Sequence, residues 1–117
     1  MSKKVLVIED EKDVLTYLIT VLEDNGYETI SATDGIEGLE LARAEKPDLI
    51  TLDLQMPKQT GTGFYRKLSR DKALSNVPVI IISGIPGRHL AVKKPVAVFD
   101  KPIDPDELIA AVKKAIG

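Results

Sequence analysis

The sequence predicts an α/β domain: a doubly wound parallel sheet with helices on both faces. Short apolar runs alternate with amphipathic stretches along the whole chain. The runs are apolar on both of their faces, as strands covered from two sides are. The residues with chemistry to offer stand where those runs end, which is where open α/β sheets collect ligands. Right-handed crossovers leave few other ways to join five such units.

Val5-Leu6-Val7-Ile8 is the first buried strand. Val14, Leu18, Val21 and Leu22 then recur at helical spacing until Asn25-Gly26, a helix stop. Residues 28–32 form a weaker strand with an edge-like mix of polar side chains. Asp34 and Glu37 make a capping-box pair ahead of Leu39, Leu41 and Ala42, which starts a second helix. Residues 49–52 are a third strand ending at Asp53, and residues 64–70 a helix after a Gly-containing loop. Val79-Ile80-Ile81-Ile82 is the most β-branched stretch of the chain, with Pro78 tolerated at its start.

A last apolar run, Val96-Ala97-Val98-Phe99, delivers Lys101-Pro102. The final helix carries the clearest signals. Asp104 caps it, Pro105 takes the first helical position and Glu107 completes the box. Leu108, Val112, Ala115 and Ile116 give it one apolar face. Between Ser83 and Lys101, Ile85-Pro86-Gly87 and Lys94-Pro95 fence off residues 88–93. That is barely two helical turns, enough for a short helix or an irregular loop.

The chain of 117 residues is read as one domain, 1–117, large enough to bury a core. Its 44% hydrophobic and 29% charged content is that of a soluble globular protein. A net charge of −2 gives no field for direct nucleic-acid binding, and Arg88, His89, Lys93 and Lys94 read as a solvated face. Without cysteine there are no disulfides or thiolate metal sites, which fits a reducing cytoplasm. The N-terminal apolar run is too short for a signal peptide or membrane insertion.

Under a parallel arrangement, the strand ends bring Glu9, Asp10, Asp53, Ser83 and Lys101 to one edge of the sheet. Three clustered carboxylates repel, and a hard cation relieves this through oxygen coordination. Alone, Glu9-Asp10-Glu11 would equally complement the N-terminus of the following helix. Asp53 starts no evident helix and is harder to explain that way. Lys101 supplies a point charge for a phosphoryl oxygen, and Gly84 leaves the Ser83 hydroxyl approachable.

The ordered set Glu9-Asp10, Asp53 with Met56-Pro57, Ser83-Gly84 and Lys101-Pro102 resembles the receiver domain of two-component response regulators, the chemotaxis regulators included. The resemblance runs from Lys4 to Ile116. It implies the flavodoxin-like (βα)5 three-layer sandwich with strand order 2-1-3-4-5. It implies that Asp53 accepts a phosphoryl group from a sensor histidine kinase or phosphotransfer protein. Glu9, Asp10, Asp53 and the Gln55 backbone carbonyl would hold Mg²⁺. Ser83 would bond the phosphoryl oxygen, Lys101 would pair with its charge, and the change would switch binding of an output protein or domain. Such a domain is no enzyme beyond its own phosphorylation and dephosphorylation. Kinase docking in the family uses the first helix and the loop after the last strand, which nominates the exposed face of residues 12–25 and the turn at 102–105.

Three departures from the family bear on mechanism. The family usually has an aromatic residue three positions before its lysine; here that position is Val98, and Phe99 faces the other way. The segment between Ser83 and Lys101 is shorter than usual by roughly one helical turn, so the fourth helix is expected to be shortened. Ile85, flanking the phosphoryl position, is expected to slow hydrolysis. The family also carries a cis peptide before the proline, expected here at Lys101-Pro102.

The alternative reading is a pseudo-receiver, a binding module of the same fold that works without phosphorylation. A phosphatase with an aspartate nucleophile would carry a second aspartate where Gln55 stands. A flavin-binding domain fails on charge, because Glu9-Asp10-Glu11 would repel a phosphate.

Overall fold

The computed structural model describes residues 3–53, 66–68, 70–83, 97–100 and 102–117, with Ser83 and Asp100 described by backbone alone. Five strands, β1 (Lys4–Ile8), β2 (Glu28–Ala32), β3 (Leu49–Asp53), β4 (Val79–Ser83) and β5 (Ala97–Asp100), form one sheet in the order β2-β1-β3-β4-β5. Every neighbouring pair is parallel. Three helices are described in full: α1 (Lys12–Asp24), α2 (Gly35–Glu45) and α3 (Pro105–Ile116). Residues 66–68 and 70 are also helical, within the helix expected over 64–70.

Strand alternation divides the core in two. Leu6, Ile8, Ile50, Leu52, Val79 and Ile81 face Leu39 and Ala42 of α2, together with Leu68 and Leu74. Val5, Val7, Leu49, Ile80 and Ile82 face Leu18 and Leu22 of α1 and Leu108, Ile109 and Val112 of α3. A central strand therefore buries both of its faces, and β3 is buried at every position. Each aliphatic side chain taken fully from water contributes about 1.5–3 kcal/mol. β2, at the edge, keeps a mixed pattern of exposed and half-buried residues.

The helix ends follow local chemistry. Asp34 Oδ1 accepts from the Glu37 backbone N–H at 2.8 Å, and the Glu37 carboxylate reaches back to the Thr33 N–H, one residue beyond the usual capping-box partner. Asp104 Oδ1 accepts from the N–H groups of Asp106 and Glu107, with Pro105 at the start of α3. Gly26, at φ +89°, makes the turn after α1 that other residues resist. Lys46 ends α2 in the left-handed region at φ 48°, a place where glycine is usual.

Several strand boundaries differ from the sequence reading by one residue. β1 starts at Lys4, and β3, β4 and β5 each run one residue further, so Asp53, Ser83 and Asp100 are the last residues of their strands. Their backbones are thus held by the ladder, where a loop would leave them free. The residues expected to form the shortened fourth helix, and Gln55, Ile85 and Lys101 with its bond to Pro102, lie outside the described residues.

Candidate functional site

β1 and β3 are neighbours, and their register sets Ile8 beside Leu52. The next residue on each strand is an acid, so Glu9 and Asp53 emerge side by side at the carboxyl end of the sheet. The Glu9 N–H continues the ladder to the carbonyl of Ala32 at 3.0 Å, which fixes the chain as it leaves β1. Its carboxylate is oriented by the Glu11 backbone N–H, which donates to Glu9 Oε2 at 3.1 Å. Asp10 follows, more open to solvent than either.

Glu9 is 1% exposed and Asp53 2%. One carboxylate oxygen from each of Glu9, Asp10 and Asp53 lies within 4.8 Å of the others. Two unit charges at that separation repel by about 3.5 kcal/mol at an effective dielectric of ~20, before any cost of desolvation. Oxygen-only donors, closely spaced and partly buried, suit a hard divalent cation, whose charge offsets that repulsion. The residues present fit such an ion.

The start of α1 has no side-chain cap. The residue that caps α1 is Glu11, and its side chain makes no capping hydrogen bond. The Glu9 carboxylate, buried at the strand end, turns toward Glu11 and the cluster.

Ser83 ends β4, the strand next to β3; Ile82 pairs with Asp53, and Ser83 with Asp100 of β5. The backbone thus brings Ser83 to the edge that carries the acids. Lys101 and Gln55 lie outside the described residues. Val98 packs on the α2 side of the sheet and Phe99 on the α1 and α3 side, as strand alternation requires.

Two features escaped the sequence reading. Tyr17 of α1 donates from its hydroxyl to the carbonyl of Ile103 at 3.0 Å, pinning α1 to the turn before α3. Beside this bond lies a cleft of about 560 Å³, lined by Glu11, Asp13, Val14, Tyr17, Pro102 and Ile103. The other feature is Thr51, buried within β3, whose Oγ1 has no hydrogen-bond partner among the described residues. Its only sequence signal is a lone hydroxyl in the run Leu49-Ile50-Thr51-Leu52.

Residues 5–113 match the family model described as the response regulator receiver domain. Protein Rrf1 of Nitratidesulfovibrio vulgaris is 34% identical over 116 residues, covering 99% of this chain and 84% of that protein. The chemotaxis protein CheY4 of Vibrio cholerae superposes with a TM-score of 0.89 at 25% identity, covering 98% of this chain and 99% of that one. The receiver domain of the sensor histidine kinase PA1611 from Pseudomonas aeruginosa superposes with a TM-score of 0.92 at 21% identity, covering 100% and 99%. That structure is described with a magnesium ion coordinated in its active site cleft. Among the described residues, no helix is long and apolar enough to cross a membrane.

Proposed function

Given that this chain belongs to the response regulator receiver domain family, we propose that it accepts a phosphoryl group on Asp53. The observation that carries this reading is the partly buried carboxylate cluster of Glu9, Asp10 and Asp53 at the carboxyl edge of the sheet. The donor is the phosphohistidine of a sensor histidine kinase or phosphotransfer protein. An Asp53 carboxylate oxygen attacks phosphorus, the phosphorus–nitrogen bond breaks, and the imidazole nitrogen keeps the electron pair and takes up a proton. The product is an aspartyl phosphate.

Glu9, Asp10 and Asp53, with the backbone carbonyl of Gln55, would hold Mg²⁺. When bound, Mg²⁺ neutralises oxygens of the transferring group and the charge of the cluster. Glu9 contributes a carboxylate already oriented by the Glu11 N–H. Asp53, at a strand end, presents its carboxylate from a rigid backbone, so little ordering is left for the reaction to supply. Lys101 pairs with the phosphoryl charge, and Ser83 bonds a phosphoryl oxygen once Asp53 carries it. The added negative charge then alters the surface offered to an output protein or domain.

The donor docks across α1 and the turn at residues 102–105, where the Tyr17 bond and the adjoining cleft join the two elements. The 117 residues act as one receiver unit in the cytoplasm. The chain's own chemistry is limited to gaining and losing this phosphoryl group.

Intact mass after incubation with acetyl phosphate tests the reading. It predicts one phosphoryl adduct on the wild type that requires Mg²⁺ and is absent from Asp53→Asn. No adduct under any condition would contradict it and favour a module that binds partners without phosphorylation.

A further inference from the structure

Thr51 breaks an otherwise apolar strand interior, and every residue of β3 is buried. It is 1% exposed, and its hydroxyl oxygen has no hydrogen-bond partner among the described residues. A hydroxyl so placed costs stability that a valine of the same shape would not. Packing therefore gives no reason for a threonine here.

Its position does. Ile50 and Leu52 belong to the α2 side of the core and Leu49 to the other side, so Leu49, Thr51 and Asp53 share one face of β3. The register sets Val7 of β1 and Ile80 of β4 on either side of Thr51, and both pack on that same face. The hydroxyl thus lies in an apolar layer one pleat beneath Glu9 and Asp53. Residues two apart on a strand are about 6.6 Å apart, and no direct bond joins these two side chains. That spacing accommodates two hydrogen bonds of about 2.8 Å through one oxygen.

We propose that Thr51 is a positioning residue for Asp53: its hydroxyl donates to one buried water, which donates in turn to the inner carboxylate oxygen. An ionised carboxylate only accepts, so the water donates to Asp53, and the Thr51 proton, with no other acceptor among the described residues, goes to that water. Holding the inner oxygen fixes the carboxylate plane and leaves the outer oxygen facing the cation and the incoming phosphorus. Groups that orient a metal-binding side chain from behind typically change metal affinity or activity by about 10–100-fold.

The inference rests on the phosphoryl-acceptor reading only for its kinetic readout, and a crystal structure of the metal-free protein tests it independently. The expected result is an ordered water within hydrogen-bonding distance of both Thr51 Oγ1 and an Asp53 oxygen. Well-ordered density without that water overturns the proposal. For Thr51→Val, which keeps the shape, Mg²⁺ affinity by calorimetry and the rate of acetyl-phosphate labelling should each fall about tenfold with the fold intact. Thr51→Ser, which keeps the hydroxyl, should retain both. Thr51→Ala against Thr51→Ser makes the same comparison if valine does not fold. Equal effects in the serine and hydroxyl-free variants, or none in either, would assign Thr51 to packing alone. A wild type that takes no phosphoryl group would defeat the receiver chemistry while leaving the structural arm to decide Thr51.

Discussion

Val98 and Phe99, consecutive on β5, pack on opposite faces of the sheet: Val98 on the α2 side, Phe99 on the side of α1 and α3. The position that resembles the family's usual aromatic is thus a valine, and the adjacent Phe99 ring belongs to the opposite core. Phe99→Leu should lower stability by about 1 kcal/mol through lost packing while leaving the rate of acetyl-phosphate labelling unchanged. Urea melts and labelling time courses measure the two. A variant of full stability that loses its phosphorylation-dependent NMR shifts would instead make Phe99 part of the switch.

The carboxylate cluster predicts opposite effects of one substitution with and without metal. In chelator, Asp53→Asn should stabilise the fold by about 1–3 kcal/mol, because it removes one of three mutually repelling charges. Mg²⁺ at a hundredfold excess over its Kd should add about 2.7 kcal/mol to the wild type and much less to Asp53→Asn. Thermal melts of both proteins in chelator and in Mg²⁺ give all four values. Wild type and variant responding identically to Mg²⁺ would place the ion elsewhere.

Asp104 holds two backbone N–H groups at the start of α3. Asp104→Ala should cost about 1 kcal/mol, while Asp104→Ser should recover most of it, as either side chain can cap. Denaturant midpoints separate the two. Asp104 lies on the turn that Tyr17 ties to α1 through Ile103, so the alanine variant should also weaken amide-exchange protection at the α3 N-terminus.

Lys4 donates to Glu45 Oε1 at 3.0 Å, and this bond, followed by the Glu45 charge, holds the ammonium above the ordinary lysine value of 10.5. A lysine whose folded value is raised contributes its stability fully below 10.5 and loses it as the pH climbs through the raised value. The pair is open to solvent and its contribution is small. Lys4→Met should therefore be slightly less stable than wild type at neutral pH and indistinguishable in strongly alkaline buffer. Urea midpoints at the two conditions check this, and a gap that widens with pH would contradict it.

Much of the fold is legible in the sequence because its signals agree across levels. Runs such as Val79-Ile80-Ile81-Ile82 are short and β-branched, as strands covered on both faces are, and Asp104-Pro105 with Glu107 marks a helix start by chemistry alone. The acids at the ends of β1 and β3 are visible for the same reason: parallel strands put their ends together. Thr51 was not legible as a special residue, because a hydroxyl in a strand usually finds a partner. Only the described core shows that this one has none. The Tyr17 bond to Ile103 joins residues 86 apart, beyond the reach of any local pattern. Lys46 ends α2 in a conformation that its type does not announce.

The most direct test of the central claim is to locate the phosphoryl group. Wild type labelled with acetyl phosphate and Mg²⁺ is reduced with borohydride, which converts an acyl phosphate to an alcohol, then digested and mapped by mass. The account predicts reduction at Asp53 alone. Reduction at another carboxylate, or none on a chain that carries the adduct, would contradict it.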